Sequence, residues 1–287
     1  PGRRWAILIF MKPVDGHTHI FPPDFIRERQ NLAGKDTHFG LLYANPTAKM
    51  ADAPTLLASM EKEGVERSVV CGFSFQDHGL VKENNDYILE AARSDERLIP
   101  FVAIDGNNKR NALREIERTV SFGARGIGEI AFYSTGLHRR EAQRLDHVFA
   151  ATRSLDLPVM IHLNEEAGHE YHGKTSADFR KVGELISKHP SQKIILAHLG
   201  GGICFYEFMP EIRQAFANTF YDTAATPFVY DNTIYRFVEV FLAEKTLFGS
   251  DFPLLTPRRY EEGLRLLSES AREKILSTNI RRLLRVS

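Results

Sequence analysis

The chain has 287 residues, of which 43% are hydrophobic and 26% charged, so it can bury an ordinary globular core. Its 37 Lys and Arg residues balance 37 Asp and Glu residues, and this zero net charge argues against nucleic acid and membrane surfaces as partners. The two cysteines, Cys71 and Cys204, form no CxxC pair and no apolar run reaches the roughly 18 residues of a membrane span, which favours a reduced, cytoplasmic protein.

The first residues are set apart from the rest of the chain. An apolar run at residues 5–10 follows two arginines, but Lys12 and Pro13 interrupt it and no small-residue cleavage site follows. This pattern is unlike a signal peptide. We interpret residues 1–11 as an N-terminal extension, with Met11 as a candidate natural start, and residues 12–287 as one domain.

Short apolar runs alternate with longer amphipathic ones along the chain. Helices are predicted up to Gly64, at 84–94, 111–122, 139–156, 176–188 and 232–242, and from residue 260 to the end. Strict strand–helix alternation predicts a parallel sheet covered by helices, and eight such units predict an α/β fold, a single-domain (β/α)8 TIM barrel. Residues 21–54 are too long for an ordinary loop and are predicted to be an insertion on the substrate side. The predicted strands cover residues 13–16, 67–73, 98–104, 125–130, 157–163, 193–198, 220–223 and 246–251.

Metal-ligating residue types stand at four of these strand ends. His17 and His19 are one residue apart on the first strand, so their side chains point the same way. His162, His198 and Asp251 end the fifth, sixth and eighth strands. All of these ends meet on one face of a barrel. Each residue alone has an ordinary structural explanation, but together they predict a divalent metal site, with zinc expected and manganese or another transition metal also suitable.

Four sequence motifs carry a family resemblance. They are DGHTH at 15–19, PVMIH at 158–162, LAHLGGG at 196–202 and LFGSDFP at 247–253. With these motifs the chain resembles the amidohydrolase superfamily, in particular its Amidohydrolase-2 branch of metal-dependent hydrolases and decarboxylases. The resemblance implies that His17, His19, His162 and Asp251 bind the metal. It also implies that His198 binds a second metal or acts as an acid–base or electrophilic group.

The fourth strand leaves the number of ions open. Many superfamily members carry a carbamylated lysine there, whereas this chain has Glu129 and no lysine. Some relatives, including TatD-like enzymes, bridge two metals with a glutamate at this strand. Glu129 is therefore a candidate bridging ligand for two ions; the alternative is a strand-end hydrogen bond or an ion pair with Arg125, with one ion per chain.

The expected chemistry is hydrolysis of an amide, ester or lactone in a small polar molecule. Metal-bound water becomes a nucleophile near neutral pH, Asp251 would take its proton, and His198 would help to stabilise the oxyanion. The loop after the fifth strand supplies the predicted substrate-binding residues, and weaker candidates follow other strands. The former are Asn164, Glu165, His169, Tyr171 and Lys174; the latter are Tyr133, His138, Tyr221, Asp222 and Arg258.

Other functions remain as alternatives. The runner-up is a metal-dependent decarboxylase, with His198 as the proton donor and Arg27, Arg29 or Arg258 as a clamp for the substrate carboxylate. A TatD-like nuclease is disfavoured by the zero net charge. A non-catalytic metal-binding protein is disfavoured because structural zinc sites are usually closed by four protein ligands. A homo-oligomer is left open, with Phe205, Tyr206 and Phe208 predicted to line either an interface or the core.

Overall fold

The computed structural model describes residues 12–105 and 108–286, and the interpreted N-terminal extension at 1–11 lies outside them. Eight parallel strands pair in chain order to form one sheet. Their bounds are β1 (Val14–His19), β2 (Arg67–Cys71), β3 (Leu98–Val102), β4 (Gly126–Ile130), β5 (Val159–Ile161), β6 (Ile194–Leu196), β7 (Thr219–Asp222) and β8 (Thr246–Leu247).

The sheet closes between its first and last strands. The backbone N–H of Gly16 donates to the Phe248 carbonyl at 2.7 Å. The N–H of Asp251 donates to the His17 carbonyl at 2.9 Å. These bonds join β1 to the segment that follows β8, so the predicted (β/α)8 barrel is confirmed, and His17 and Asp251 are brought side by side.

Helices lie between the strands. Where the sequence predicts one helix from residue 260, the structure has several short pieces, with a 3-10 turn at Pro257–Tyr260 before them and a π-helical turn at Lys274–Thr278 among them. The helix predicted at 232–242 ends in a π-helical turn at Val238–Leu242. No helix within 12–105 and 108–286 combines the length and apolar character needed to cross a bilayer. The α-helices are α1 (Pro23–Arg27), α2 (Arg29–Lys35), α3 (Thr37–Tyr43), α4 (Ala53–Glu63), α5 (His78–Ser94), α6 (Lys109–Ser121), α7 (Arg139–Ser154), α8 (Phe179–Lys188), α9 (Pro210–Ala215), α10 (Thr226–Val229), α11 (Ile234–Phe237), α12 (Glu261–Leu264), α13 (Glu269–Glu273) and α14 (Asn279–Leu284).

Successive residues of β2, β5 and β6 pack in different hydrophobic clusters. In β2, Val70 packs with Leu56, Met60 and Ile88 of the covering helices. Val69, its neighbour, packs instead with residues of other strands and of α14. This alternation follows from the period of two along a strand, and it makes both sides of the sheet apolar.

The segment between β1 and α4 forms a cap over one side of the barrel mouth. Phe21 before α1, Phe25 on α1 and Phe39 on α3 pack against Phe73 and Phe75, which follow β2. The rings pack edge-to-face, tilted or stacked at centroid distances of 4.8 to 6.4 Å. The cap is therefore held by aromatic packing and not by strand pairing.

The aromatic residues that follow β6 lie at the surface. Phe205, Tyr206 and Phe208 are 41%, 50% and 52% exposed, which excludes the core location proposed as one alternative. They belong to the segment His198–Phe208, whose first residues are in the left-handed region.

Candidate metal centre and active site

The two histidines of β1 point at a common spot. Nε2 of His17 lies 3.0 Å from Nε2 of His19. Nε2 of each ring is also near Oδ1 of Asp251, at 3.9 and 3.7 Å respectively. His17, His19 and Asp251 thus form a compact group that could hold a metal ion.

A second group of the same kind lies beside the first. Nδ1 of His162 is 2.9 Å from Oε1 of Glu129 and 3.1 Å from Nε2 of His198. Nε2 of His198 is 3.5 Å from Oε1 of Glu129. The three residues could hold an ion of their own.

Glu129 lies between the two groups. Its Oε2 faces the β1 histidines, at 3.6 Å from Nε2 of His17 and 3.7 Å from Nε2 of His19. Its Oε1 faces His162 and His198. The carboxylate is buried, at 5% exposure, among four imidazoles.

Each of the four histidines directs its other ring nitrogen at an oxygen outside the cluster. An outer acceptor fixes the proton on that nitrogen and leaves the inner nitrogen free to bind an ion. This is the arrangement expected of metal-ligating histidines, so the donor set fits a divalent metal. The outer contacts are His17 to Asp222 Oδ2 at 2.9 Å, His19 to the Cys71 carbonyl at 3.2 Å, His162 to Asn164 Oδ1 at 2.8 Å and His198 to the Ala224 carbonyl at 3.0 Å.

The charges of the cluster shift its protonation. Burial alone would lower the pKa of His17 and His198, but nearby carboxylates outweigh it. Asp222 and then Glu129 hold the pKa of His17 well above its usual value, and Glu129 raises that of His198 to about 9. Burial would raise the pKa of Glu129, yet His162 and His17 hold it well below its usual value. The carboxylates of the cluster therefore stabilise positive charge, which a divalent ion would supply.

The backbone around two of these residues is unusual. His198 and Asp251 have φ of 58° and 57°, a region that residues other than glycine rarely adopt. The His198 N–H donates to Asp222 Oδ1 at 2.8 Å, which stabilises its turn. Position 201 in the same turn has room only for glycine, because a Cβ there would lie 2.2 Å from the carbonyl oxygen of Asn164.

A cavity of about 430 Å³ opens above the cluster. His19, Glu129, His162, His198 and Asp251 line its base. Its remaining walls are mostly apolar and aromatic and come from the β1–α4 segment and the loops after other strands. They are Leu42, Tyr43, Ala48, Lys49, Phe73, Tyr133, Asn164, His169, Tyr171, His172, Gly173, Ala225, Phe228, Val229, Pro253 and Leu254.

The predicted substrate-binding residues divide into two sets. Asn164, His169 and Tyr171 line the cavity. Glu165 does not; one of its oxygens accepts a bond from the Tyr171 hydroxyl at 3.0 Å. Lys174 is also outside the lining, because its ammonium bonds backbone carbonyls of its own loop.

The weaker substrate-binding candidates also differ in whether they lie at the cavity. Tyr133 lines the cavity, and Asp222 supports His17 from behind. Tyr221 is buried and donates to Glu207, His138 contacts Ser176, and Arg258 lies near Glu63. None of the arginines suggested as a carboxylate clamp, Arg27, Arg29 or Arg258, is among the described residues that line the cavity.

Most residues of the cavity wall were not predicted from the sequence. Phe73 lies two residues after the end of β2, so its position near a strand end was an available signal. Leu42, Tyr43 and Lys49 reach the cavity only through the packing of the β1–α4 segment. No short motif marks them.

The fold is shared with solved enzymes. Over 96% of this chain and 99% of the other, 5-carboxyvanillate decarboxylase from Sphingomonas paucimobilis superposes with a TM-score of 0.74 at 16% identity. A 2,6-dihydroxybenzoate decarboxylase from Rhizobium superposes with a TM-score of 0.66 at 16% identity, over 96% of this chain and 99% of the other. A manganese complex of 5-carboxyvanillate decarboxylase from Novosphingobium aromaticivorans superposes with a TM-score of 0.74 at 16% identity, over 96% of this chain and 97% of the other. A comparison with curated protein sequences gives no match.

These findings correct the predicted reaction. Hydrolysis was the main prediction, but the similar structures reported above are decarboxylases, so the decarboxylase alternative agrees better with them. The error has a physical reason: strand-end ligands specify a divalent metal, whereas the bond that breaks depends on the loops above it. The family itself is as expected. The model of the amidohydrolase family matches residues 14–286, and the chain therefore belongs to that family.

Proposed function

We propose that this protein is a metal-dependent decarboxylase of a small aromatic carboxylic acid. The observation that carries the proposal is the aromatic cavity directly above the metal cluster. Phe73, Tyr133 and Phe228 line its walls, while Glu129 and Asp251 lie at its base. Its volume of about 430 Å³ is in the range of small-molecule sites, and a benzoate-sized ring can stack on such walls.

His17, His19 and Asp251 would hold one ion, and His162 would be a ligand at the neighbouring position beside Glu129. Glu129 directs one oxygen at each pair of histidines, which supports a ligand shared between two ion positions. Imidazole ligands bind zinc more tightly than manganese, so zinc is the expected ion. When bound, the metal would hold an acidic oxygen of the substrate and stabilise the negative charge that develops during the reaction.

A side chain of the protein would donate the proton that the reaction needs. In the reaction, the bond between the ring carbon and the carboxylate breaks, carbon dioxide leaves, and the electron pair left on the carbon takes a proton. We assign the proton donor to His198, because its ring lines the cavity and lies outside the group formed by His17, His19 and Asp251. The Ala224 carbonyl orients the ring. The apolar walls would keep bulk water from the carbanion.

The test uses the metal-loaded protein and carboxyl-labelled 2,6-dihydroxybenzoate or 5-carboxyvanillate in deuterated water. We expect labelled carbon dioxide and one deuterium on the carbon that lost it. His198→Asn should bind metal but lower the rate by about 10²- to 10⁴-fold, the usual range for a lost general acid.

Two results would count against the proposal. If the metal-loaded protein binds these acids and releases no carbon dioxide, the assigned reaction is wrong. If His198→Asn keeps full activity, the proton comes from another group, and Asp251→Asn would then be examined in the same way.

A further inference from the structure

Asn164 links the metal cluster to the loop after β5. Its Oδ1 accepts the backbone N–H of Thr175 at 2.9 Å and the hydroxyl of the same residue at 3.2 Å. A backbone N–H can only donate, so these contacts fix which side of the amide is the oxygen. The amide itself is buried, at 3% exposure.

This orientation determines the state of His162. Nε2 of His162 lies 2.8 Å from the same Oδ1, which can only accept, so Nε2 must carry a proton. Nδ1 is then the nitrogen presented to Glu129 and His198. His17, His19 and His198 present Nε2 to the cluster instead, so His162 has the opposite arrangement.

The same amide continues the connection outward. Nδ2 of Asn164 donates to the Tyr171 hydroxyl at 3.0 Å, and that hydroxyl lies 3.0 Å from Oε2 of Glu165. Burial and the charge of Glu165 raise the pKa of Tyr171, so the phenol keeps its proton and donates it to the carboxylate. Each group donates to the next one, from His162 through Asn164 and Tyr171 to Glu165.

A directed chain of this kind has a chemical effect at its inner end. Hydrogen bonds in series polarise one another, and here a carboxylate terminates the series. Polarisation toward Glu165 strengthens the bond from Nε2 of His162. A stronger outer bond makes the inner nitrogen a better ligand and restrains the ring.

We propose that Glu165 and Tyr171 are positioning residues for the metal ligand His162, acting through Asn164. The inference rests on His162 as a ligand, which is part of the proposed function, but not on decarboxylation. Metal affinity and ring protonation can be measured on protein that turns over no substrate, so the two proposals can fail separately.

The first experiment measures zinc affinity by competition with a chelating dye. Tyr171→Phe keeps the ring but removes the link, and we expect about tenfold weaker zinc binding; Glu165→Leu should give a similar loss. Glu165→Gln keeps an acceptor and should stay within about threefold of the original affinity. Tyr206→Phe changes a tyrosine that is half exposed and lies outside the cavity lining, and should have no effect.

The second experiment determines which ring nitrogen of His162 carries the proton. Long-range proton–nitrogen spectra of the zinc-loaded protein should show His162 protonated at Nε2, and Tyr171→Phe should shift that signal and speed its proton exchange. A His162 that is unprotonated at Nε2 would overturn the inference. Wild-type zinc affinity in both Tyr171→Phe and Glu165→Leu would also overturn it, and thermal unfolding curves would identify a variant that simply fails to fold.

Discussion

The metal cluster and the cavity wall lie against each other but are held by different kinds of contact. In the cluster, Glu129 is surrounded by histidines whose rings are each fixed by an outer hydrogen bond. In the wall, Phe73 and Tyr133 stack at a centroid distance of 5.8 Å, and Phe228 is half exposed. The cluster therefore depends on the direction of polar bonds, and the aromatic part of the wall on shape and apolar area. Substitutions in the two regions should differ in what they change.

The largest effect should come from removing a ligand of the cluster. His17→Ala leaves Glu129 and Asp251 without one of their imidazole partners. We expect loss of bound metal and a fall in turnover of roughly a thousandfold or more, since a metal contributes several kcal/mol of charge stabilisation. Metal analysis and steady-state kinetics measure both.

The matched control is His189→Ala, which removes a buried histidine that contacts Asp146 and lies outside both metal groups. It should lower stability but leave metal content unchanged. Normal metal content in His17→Ala would separate this residue from the cluster.

A smaller effect is expected from the carboxylate behind His17. Asp222 accepts from His17 Nδ1 with one oxygen and from the His198 and Ala224 N–H groups with the other. In Asp222→Asn, either orientation of the amide sets an N–H against one of these donors. Metal affinity should therefore fall about 10- to 100-fold.

Asp146→Asn provides the comparison for Asp222→Asn. Asp146 pairs with Lys188 and His189 and lies outside both metal groups, so its substitution should not change metal affinity. Equal metal binding by the two variants would show that the outer contact of His17 is dispensable.

These two regions also differ in how far the sequence predicts them. His17, His19 and Asp251 were predictable because strand ends converge in any such barrel, and position in the alternation is readable from periodicity. The sequence did not predict that Glu129 faces both pairs of histidines, because this depends on side-chain distances across the barrel mouth. The breaks in the C-terminal helical region were not predicted either, because an amphipathic pattern survives short π-helical and 3-10 turns.

The wall was predictable only in part. The loop after β5 was expected to border the pocket because it follows a strand, and it supplies His169 and Tyr171. Tyr43 and Lys49 depend on how the β1–α4 segment packs on Phe73 and its neighbours, which no local pattern encodes. The predicted reaction was wrong for the same reason, because in such barrels the loops above the strand ends, and not the ligands themselves, determine the substrate.

A change in the wall away from the bond between Asn164 and Tyr171 should alter substrate binding and leave the metal in place. Phe228→Ala removes a ring that lines the cavity and is 52% exposed. We expect KM for an aromatic acid to rise roughly tenfold through lost stacking and apolar contact, with little change in stability. Phe122→Ala, at 55% exposure and outside the cavity lining, should leave KM unchanged. Loss of metal from Phe228→Ala would contradict the separation of the two regions.

The smallest effect is expected where the wall is held by polar bonds. The Lys174 ammonium lies 3.3, 3.5 and 3.2 Å from the carbonyl oxygens of Ala167, Gly168 and His169, and its side chain is only 8% exposed. Lys174→Met keeps most of the volume but removes these bonds. The loop that carries Tyr171 into the cavity should then open more often.

We expect kcat/KM to fall roughly threefold, mainly through KM, and cleavage by an added protease within residues 165–174 to become faster. Lys181→Met is the matched control, since Lys181 pairs with Glu184 on α8 and lies outside the cavity lining. Unchanged proteolysis in Lys174→Met would mean that the loop is held without the lysine. Any accompanying loss of zinc affinity should be smaller than in Tyr171→Phe, because the loosened loop still carries Tyr171 and its bond to Asn164.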